Sequence, residues 1–77
     1  AQEEMLKNYE QYIKVVTEKG ALEMTKPATK NKLVEAYNNI GIYYRSIDKV
    51  KAKENFAKVL ELDPTNETAT STLKLLK

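Results

Sequence analysis

The chain contains no cysteine and no histidine. Without these residues it can form no disulfide, and it lacks the thiolate and imidazole ligands that structural zinc sites use. A chain of 77 residues is also short, and a domain of that size buries only about 60% of the surface that it exposes when unfolded. We therefore expect its stability to be marginal and to depend on packing against neighbouring chain.

Long apolar runs and a strong net charge are also missing. Apolar residues occur in runs of two or three, such as Val15-Val16 and Ile42-Tyr43-Tyr44, so the sequence predicts neither a membrane span nor a signal-peptide core. The formal net charge of +2 does not point to nucleic acid or an anionic membrane as the partner. No targeting segment is recognisable, and the sequence leaves open whether the protein is cytoplasmic or exported.

A few helix-breaking or helix-capping residues interrupt the helical pattern of the chain and divide it into four segments. The divisions fall at Gly20, Pro27, Asp48 and 63–66. Within each segment, apolar residues recur at steps of three and four, as on one face of an amphipathic helix. In the second segment this stripe runs to Ile47. No stretch alternates with period two, so we predict no strand and four helices, over residues 3–19, 28–47, 49–62 and 67–77.

Local signals predict where two of these helices begin and what one of them packs against. Asp48 is placed to cap the third segment, and Thr65 or Asn66 to cap the fourth. Gly41 lies in the middle of the second segment, where glycine costs about 0.5–1 kcal/mol relative to alanine. We expect the close approach of a second helix to offset that cost, with Ala52 as the small residue on that helix and Phe56 filling the space one turn later.

The spacing of these landmarks indicates a known repeat. The chain has the order Tyr37-x2-Ile40-Gly41-x2-Tyr44, then Ala52-x3-Phe56, then Asp63-Pro64. This order resembles the tetratricopeptide repeat, a helical hairpin of 34 residues. The resemblance implies an all-α fold of antiparallel helical hairpins, about four helices in all, stacked as a fragment of a right-handed superhelix. It covers residues 34–66.

The remaining segments match the repeat less closely. Seven residues separate Tyr44 from Ala52, one fewer than the 34-residue repeat has, so we expect a tight turn between the helices. Residues 1–19 resemble the second helix of a preceding, divergent repeat, and residues 20–28 read as a linker. Residues 67–77 are interpreted as a terminal capping helix, since solenoids require caps. We interpret the chain as one domain, the C-terminal fragment of a longer repeat protein.

The resemblance also implies a function, because the first helix of each such repeat lines a groove that binds protein or peptide partners. We therefore expect a protein-binding module rather than an enzyme, with no cofactor. The residues that the resemblance places in the groove are Glu35, Asn38, Ile42 and Arg45, and Ser46 lies beside them. Asn39 is added to these candidates because its side-chain amide is next to that of Asn38. The alternative for each of them is an ordinary solvated helix face. A clamp of paired lysines and asparagines, known in part of the family, is not expected because Glu35 and Ile42 occupy the corresponding positions.

No pattern points to catalysis or metal binding. Without histidine or cysteine, a nucleophile would have to be a serine or threonine activated by a lysine or carboxylate, and no motif around Ser46 or Ser71 indicates such activation. The stretch from Asp63 loosely matches a calcium-binding loop, but Thr68 and Lys74 stand where glycine and glutamate are needed. The triplet Asn66-Glu67-Thr68 fits the glycosylation signal, and the sequence does not show whether it is used.

Two other functions remain open. Lys49, Lys51 and Lys53 on a short helix after a tight turn fit a nucleic-acid-binding helical pair, although nearby acidic residues offset their charge. Alternatively, the chain is a structural end-piece that associates with a second copy through the exposed face of its first helix.

Overall fold

The helices predicted from the apolar periodicity form a single all-α unit. The structure is a computed structural model that describes residues 2–76, apart from the side chain of Ala21. The helices are α1 (Gln2–Lys19), α2 (Ala21–Met24), α3 (Pro27–Tyr44), α4 (Lys49–Leu62) and α5 (Glu67–Leu75). Residues 2–76 contain no strand, and the all-α prediction is confirmed. The predicted segments 1–19 and 67–77 each include one terminal residue outside the described range.

Residues 20–28, predicted as a linker, contain the additional helix α2, so the number of helices is five rather than four. Gly20 separates α1 from α2 with φ of 96°, a left-handed conformation that glycine adopts without steric cost. α2 has four residues, and Leu22 within it is 84% exposed. A single turn of helix has no repeating apolar face, which is why the periodicity of the sequence did not indicate it.

α3 is the central helix. It packs against both α1 and α4, and α5 packs against α4. The side of α3 that these contacts cover carries Leu33, Ala36 and Ile40, each at most 3% exposed. α2 touches both α1 and α3. The Cα atoms extend over 34 × 29 × 16 Å, so the helices form a flat arrangement in which the remaining side of α3 stays open.

The contact between α3 and α4 has the geometry that the mid-helix glycine predicted. A β-carbon placed on Gly41 would lie 2.7 Å from Cζ of Phe56, closer than such carbons approach other atoms. Phe56, Ala52 and Val59 are fully buried, and they form one cluster with Ala69 and Leu76 of the C-terminal part. The missing side chain at Gly41 therefore lets the ring of Phe56 fit against the backbone of α3.

The boundaries of the helices follow their capping residues. The Asp48 carboxylate accepts hydrogen bonds from the backbone amides of Val50 and Lys51, at 3.1 and 3.2 Å. The side chain of Asn66 accepts one from the amide of Ala69 at 3.0 Å, so Asn66 rather than Thr65 caps α5. Both predicted caps of this kind are confirmed.

The second predicted helix, 28–47, ends earlier than expected. α3 stops at Tyr44, and the carbonyl of Tyr44 accepts hydrogen bonds from the amides of Ile47 and Asp48. The expectation that Ile47 continues the buried stripe is wrong, since its side chain is 66% exposed. The short connection leaves only residues 45–47 to reverse the chain before the cap of α4, and these residues lie in a turn at the surface.

Candidate functional site

The five residues predicted to share one binding face do not all lie together. Asn39, Ile42 and Arg45 line a single surface groove of about 440 Å³, together with Ser46. Glu35 and Asn38 are absent from its lining and are engaged elsewhere. We refer to this groove as the Arg45 groove.

The far wall of the Arg45 groove comes from the first turns of α1. Gln2 and Met5 complete its lining beside Tyr43 and Ile47. Met5 belongs to the apolar stripe of the first predicted helix, 3–19, but that periodicity does not show that its side chain meets the C-terminal half of α3. The contact requires α1 and α3 to run antiparallel, and no local pattern gives that pairing.

The charge of the Arg45 groove has one sign. Arg45 is exposed, is the only charged residue in the lining, and forms no ion pair within residues 2–76. Two other surface grooves contain charges of both signs, Glu4 with Lys32 in one and Lys30 with Asp63 in the other. The Arg45 groove thus combines an unpaired cation with apolar area from Ile42, which is 38% exposed.

Glu35 connects α3 to α1 instead of lining the groove. Its Oε2 atom accepts hydrogen bonds from the Tyr9 hydroxyl at 3.1 Å and from the Lys32 ammonium at 3.0 Å. The Lys32 nitrogen also lies 5.5 Å from the centre of the Tyr9 ring. These donors, Lys32 first and Tyr9 second, lower the pKa of Glu35. The same carboxylate raises the pKa of Lys32, while burial and then Glu35 raise the pKa of Tyr9. Glu35 is therefore already occupied by internal partners.

Asn38 faces the start of α5. It is half-buried, and its Nδ2 donates to Oδ1 of Asn66 at 3.3 Å, the same oxygen that caps α5. Oδ1 of Asn38 is buried and accepts no hydrogen bond within residues 2–76. Asn66 Nδ2 in turn donates to the Asp63 carboxylate at 3.4 Å. The asparagine of the glycosylation triplet thus uses both polar side-chain atoms to hold the turn between α4 and α5.

The lysines considered for nucleic-acid binding are exposed on α4. The ammonium of Lys51 lies 5.1 Å from the centre of the Tyr44 ring, which packs edge-on against Tyr43 with ring centres 5.0 Å apart. A cation over an aromatic ring is a common stabilising surface contact. Nucleic-acid binding stays the less favoured alternative that the sequence left open.

The described residues were also searched for metal-binding groups and for helices that could span a membrane. Residues 2–76 contain no group of three or more acidic residues close enough to hold a metal ion. None of the helices in this range combines the length and the apolar character needed to cross a bilayer.

Comparisons of the chain with protein-family models, with curated proteins and with solved structures found no match. The resemblance to the tetratricopeptide repeat therefore rests on the spacing of the landmark residues alone.

Proposed function

We propose that this chain is a non-enzymatic protein-binding module of the tetratricopeptide type, which holds a segment of a partner protein along the open side of α3. The observation that carries the proposal is the convergence of Asn39, Ile42 and Arg45 in one groove. The close contact of Gly41 with Phe56 in the α3–α4 hairpin supports the repeat type.

The groove suggests the chemistry of its partner. The guanidinium of Arg45 is suited to a carboxylate, which it can bind through two parallel hydrogen bonds. Ile42 and Met5 offer apolar area for one aliphatic side chain. Nδ2 of Asn39 already donates to the carbonyl of Glu35 at 2.8 Å, so its oxygen is left to accept from a partner's backbone amide. The expected ligand is an extended segment with an acidic residue near an apolar one.

The size of the groove limits how tightly it can bind. A volume of about 440 Å³ accommodates a few residues, and small interfaces of this kind belong to weak, transient complexes. We expect a dissociation constant of about 10–100 µM for a short peptide.

Fluorescence polarisation with labelled peptides tests the proposal. The parent peptide should carry an acidic residue near a leucine, which serves as the apolar residue. The other peptides should each lack one of these two residues. Loss of the acidic residue, or the substitution Arg45→Glu, should weaken binding about tenfold, because each removes the charged hydrogen bonds. Lys53→Glu is the matched control, since it makes the same change of charge on α4, outside the groove.

Circular dichroism would establish that both variants remain helical. The proposal predicts that Lys53→Glu binds as the unchanged chain does. Equal binding by Arg45→Glu, or binding that ignores the acidic residue of the peptide, would contradict it.

A further inference from the structure

One flank of α1 is exposed, and its N-terminal part borders a groove of about 530 Å³ whose lining also includes Lys32 of α3. Five residues follow one another along this flank at steps of three and four, which places them on the same side of the helix. We call this side the outer flank of α1: Glu4, Asn8, Tyr12, Val15 and Lys19. Tyr12 is half-buried and Val15 is 38% exposed, so the middle of the flank presents apolar area to solvent.

The ends of the outer flank carry opposite charges. Glu4 lies in the first turn of α1 and Lys19 in the last. The ion pairs found within residues 2–76 involve Glu23, Glu35 and Glu61, and neither Glu4 nor Lys19 takes part in one. The pKa of Glu23, which the hydrogen bond from Lys26 lowers most, is lowered further by the nearby charge of Lys19. The flank is therefore acidic at one end, apolar in the middle and basic at the other end.

Two copies of this surface are complementary in charge when one is rotated by 180° relative to the other. We infer that two copies of the chain pair through the outer flanks of α1 in an antiparallel, two-fold symmetric arrangement. Glu4 of each copy then lies opposite Lys19 of the other, and the two Tyr12 side chains meet near the axis. A parallel arrangement would place like charges together at both ends, so the charges select the antiparallel one.

The expected dimer is weak. The 18 residues of α1 span about 27 Å, and a single pair of helices of that length forms an interface at the lower end of the size range of specific complexes. We expect a dissociation constant of about 10–100 µM. Because charge pairs at the surface contribute to the dimer, association should weaken as salt is added.

Sedimentation equilibrium of the whole chain over about 10–500 µM tests the inference. The unchanged chain should show a monomer–dimer equilibrium. Glu4→Lys and Lys19→Glu should each weaken association about tenfold, because each turns two attractions of the symmetric dimer into repulsions. An equimolar mixture of the two variants should associate again, since every reversed charge then meets an opposite one.

Two control variants separate the interface from effects on the helix itself. Glu3→Lys changes the same charge in the same turn of α1, and Lys14→Glu reverses another exposed lysine, but both residues lie off the outer flank. Neither control should alter association, and circular dichroism should show that all variants are helical. An unchanged chain that stays monomeric throughout, single variants that associate as it does, or a mixture that fails to associate would each overturn the inference.

Discussion

The distance between Gly41 and the Phe56 ring sets how closely α3 and α4 pack. A β-carbon on Gly41 would lie 2.7 to 3.0 Å from three atoms of that ring. Because Phe56 is fully buried, the ring has no free space into which it can retreat. Glycine lowers the stability of α3 itself, but its missing side chain allows α3 and α4 to pack closely.

Gly41→Ala should therefore destabilise the chain even though alanine is the better helix former. Overpacking costs about 1–3 kcal/mol, and the gain in helix propensity offsets at most about 1 kcal/mol of it. Urea unfolding should show a net loss of about 1–2 kcal/mol. Combining the substitution with Phe56→Leu should cost less than the sum of the two single changes, since the smaller side chain makes room. Strict additivity, or a more stable Gly41→Ala variant, would contradict the close contact.

At the scale of the helices, α5 depends on the single side chain of Asn66. Its Oδ1 caps the helix and also accepts the hydrogen bond from Asn38, while its Nδ2 donates to Asp63. One residue thus links α3, the turn after α4 and the start of α5. Ala69 and Leu76 are buried in the cluster that includes residues of α4, and the cap fixes where α5 begins.

Asn66→Ala should destabilise the fold by about 2 kcal/mol, since it removes an N-cap and leaves the half-buried Asn38 amide without its acceptor. Ser71→Ala is the control, because Ser71 is exposed on the same helix. Hydrogen exchange should show faster opening of α5 in the Asn66 variant and no change in the control. Equal protection of α5 in both variants would show that the cap does not hold it.

The sequence predicted the long helices and their caps because those signals are local. Apolar residues at steps of three and four, Asp48 before α4 and Asn66 before α5 all act within a few residues of the chain. The short helix α2 and the exposure of Ile47 did not follow from such signals. Both depend on how the chain reverses between helices, which tertiary packing determines.

The candidate site was predicted only in part for the same reason. Asn39, Ile42 and Arg45 line one groove beside α3. Ile42 and Arg45 are among the residues that the resemblance implied, and Asn39 was predicted from its amide side chain. Glu35 instead accepts a hydrogen bond from Tyr9, which is 26 residues away in the chain. Asn38 donates one to Asn66, which is 28 residues away. Helical periodicity places a residue on a face, but it does not show which distant side chain reaches that face.

At the scale of the whole molecule, three carboxyl groups make the stability depend on pH. The pKa of Glu23 is lowered chiefly by a hydrogen bond from Lys26, that of Glu35 by one from Lys32, and that of Asp63 by the Thr65 hydroxyl. A lowered pKa means that the folded chain binds the proton more weakly than the unfolded chain. The stability that these groups contribute is therefore present above the unfolded values, near 4.5 for glutamate and 3.8 for aspartate, and is lost below them.

The urea midpoint should accordingly be constant around neutral pH and fall as the pH drops through about 4. The decrease should be modest, because Glu35 is exposed and Glu23 and Asp63 are only partly buried, so that solvent screens all three. Glu35→Gln should make this acid dependence shallower. A midpoint that rises on acidification would contradict the assigned ion pairs and hydrogen bonds.

The central claim is that the open side of α3, at the Arg45 groove, binds a segment of a partner protein. The most direct measurement is an NMR titration of the isotope-labelled chain with a short peptide that contains an acidic residue near a leucine. The account predicts that the signals of Asn39, Ile42, Arg45 and Ser46 shift together and saturate, while those of Asn38 and of the exposed side of α4 stay in place. Shifts that spread over the lysines of α4 or bypass the Arg45 groove would contradict it.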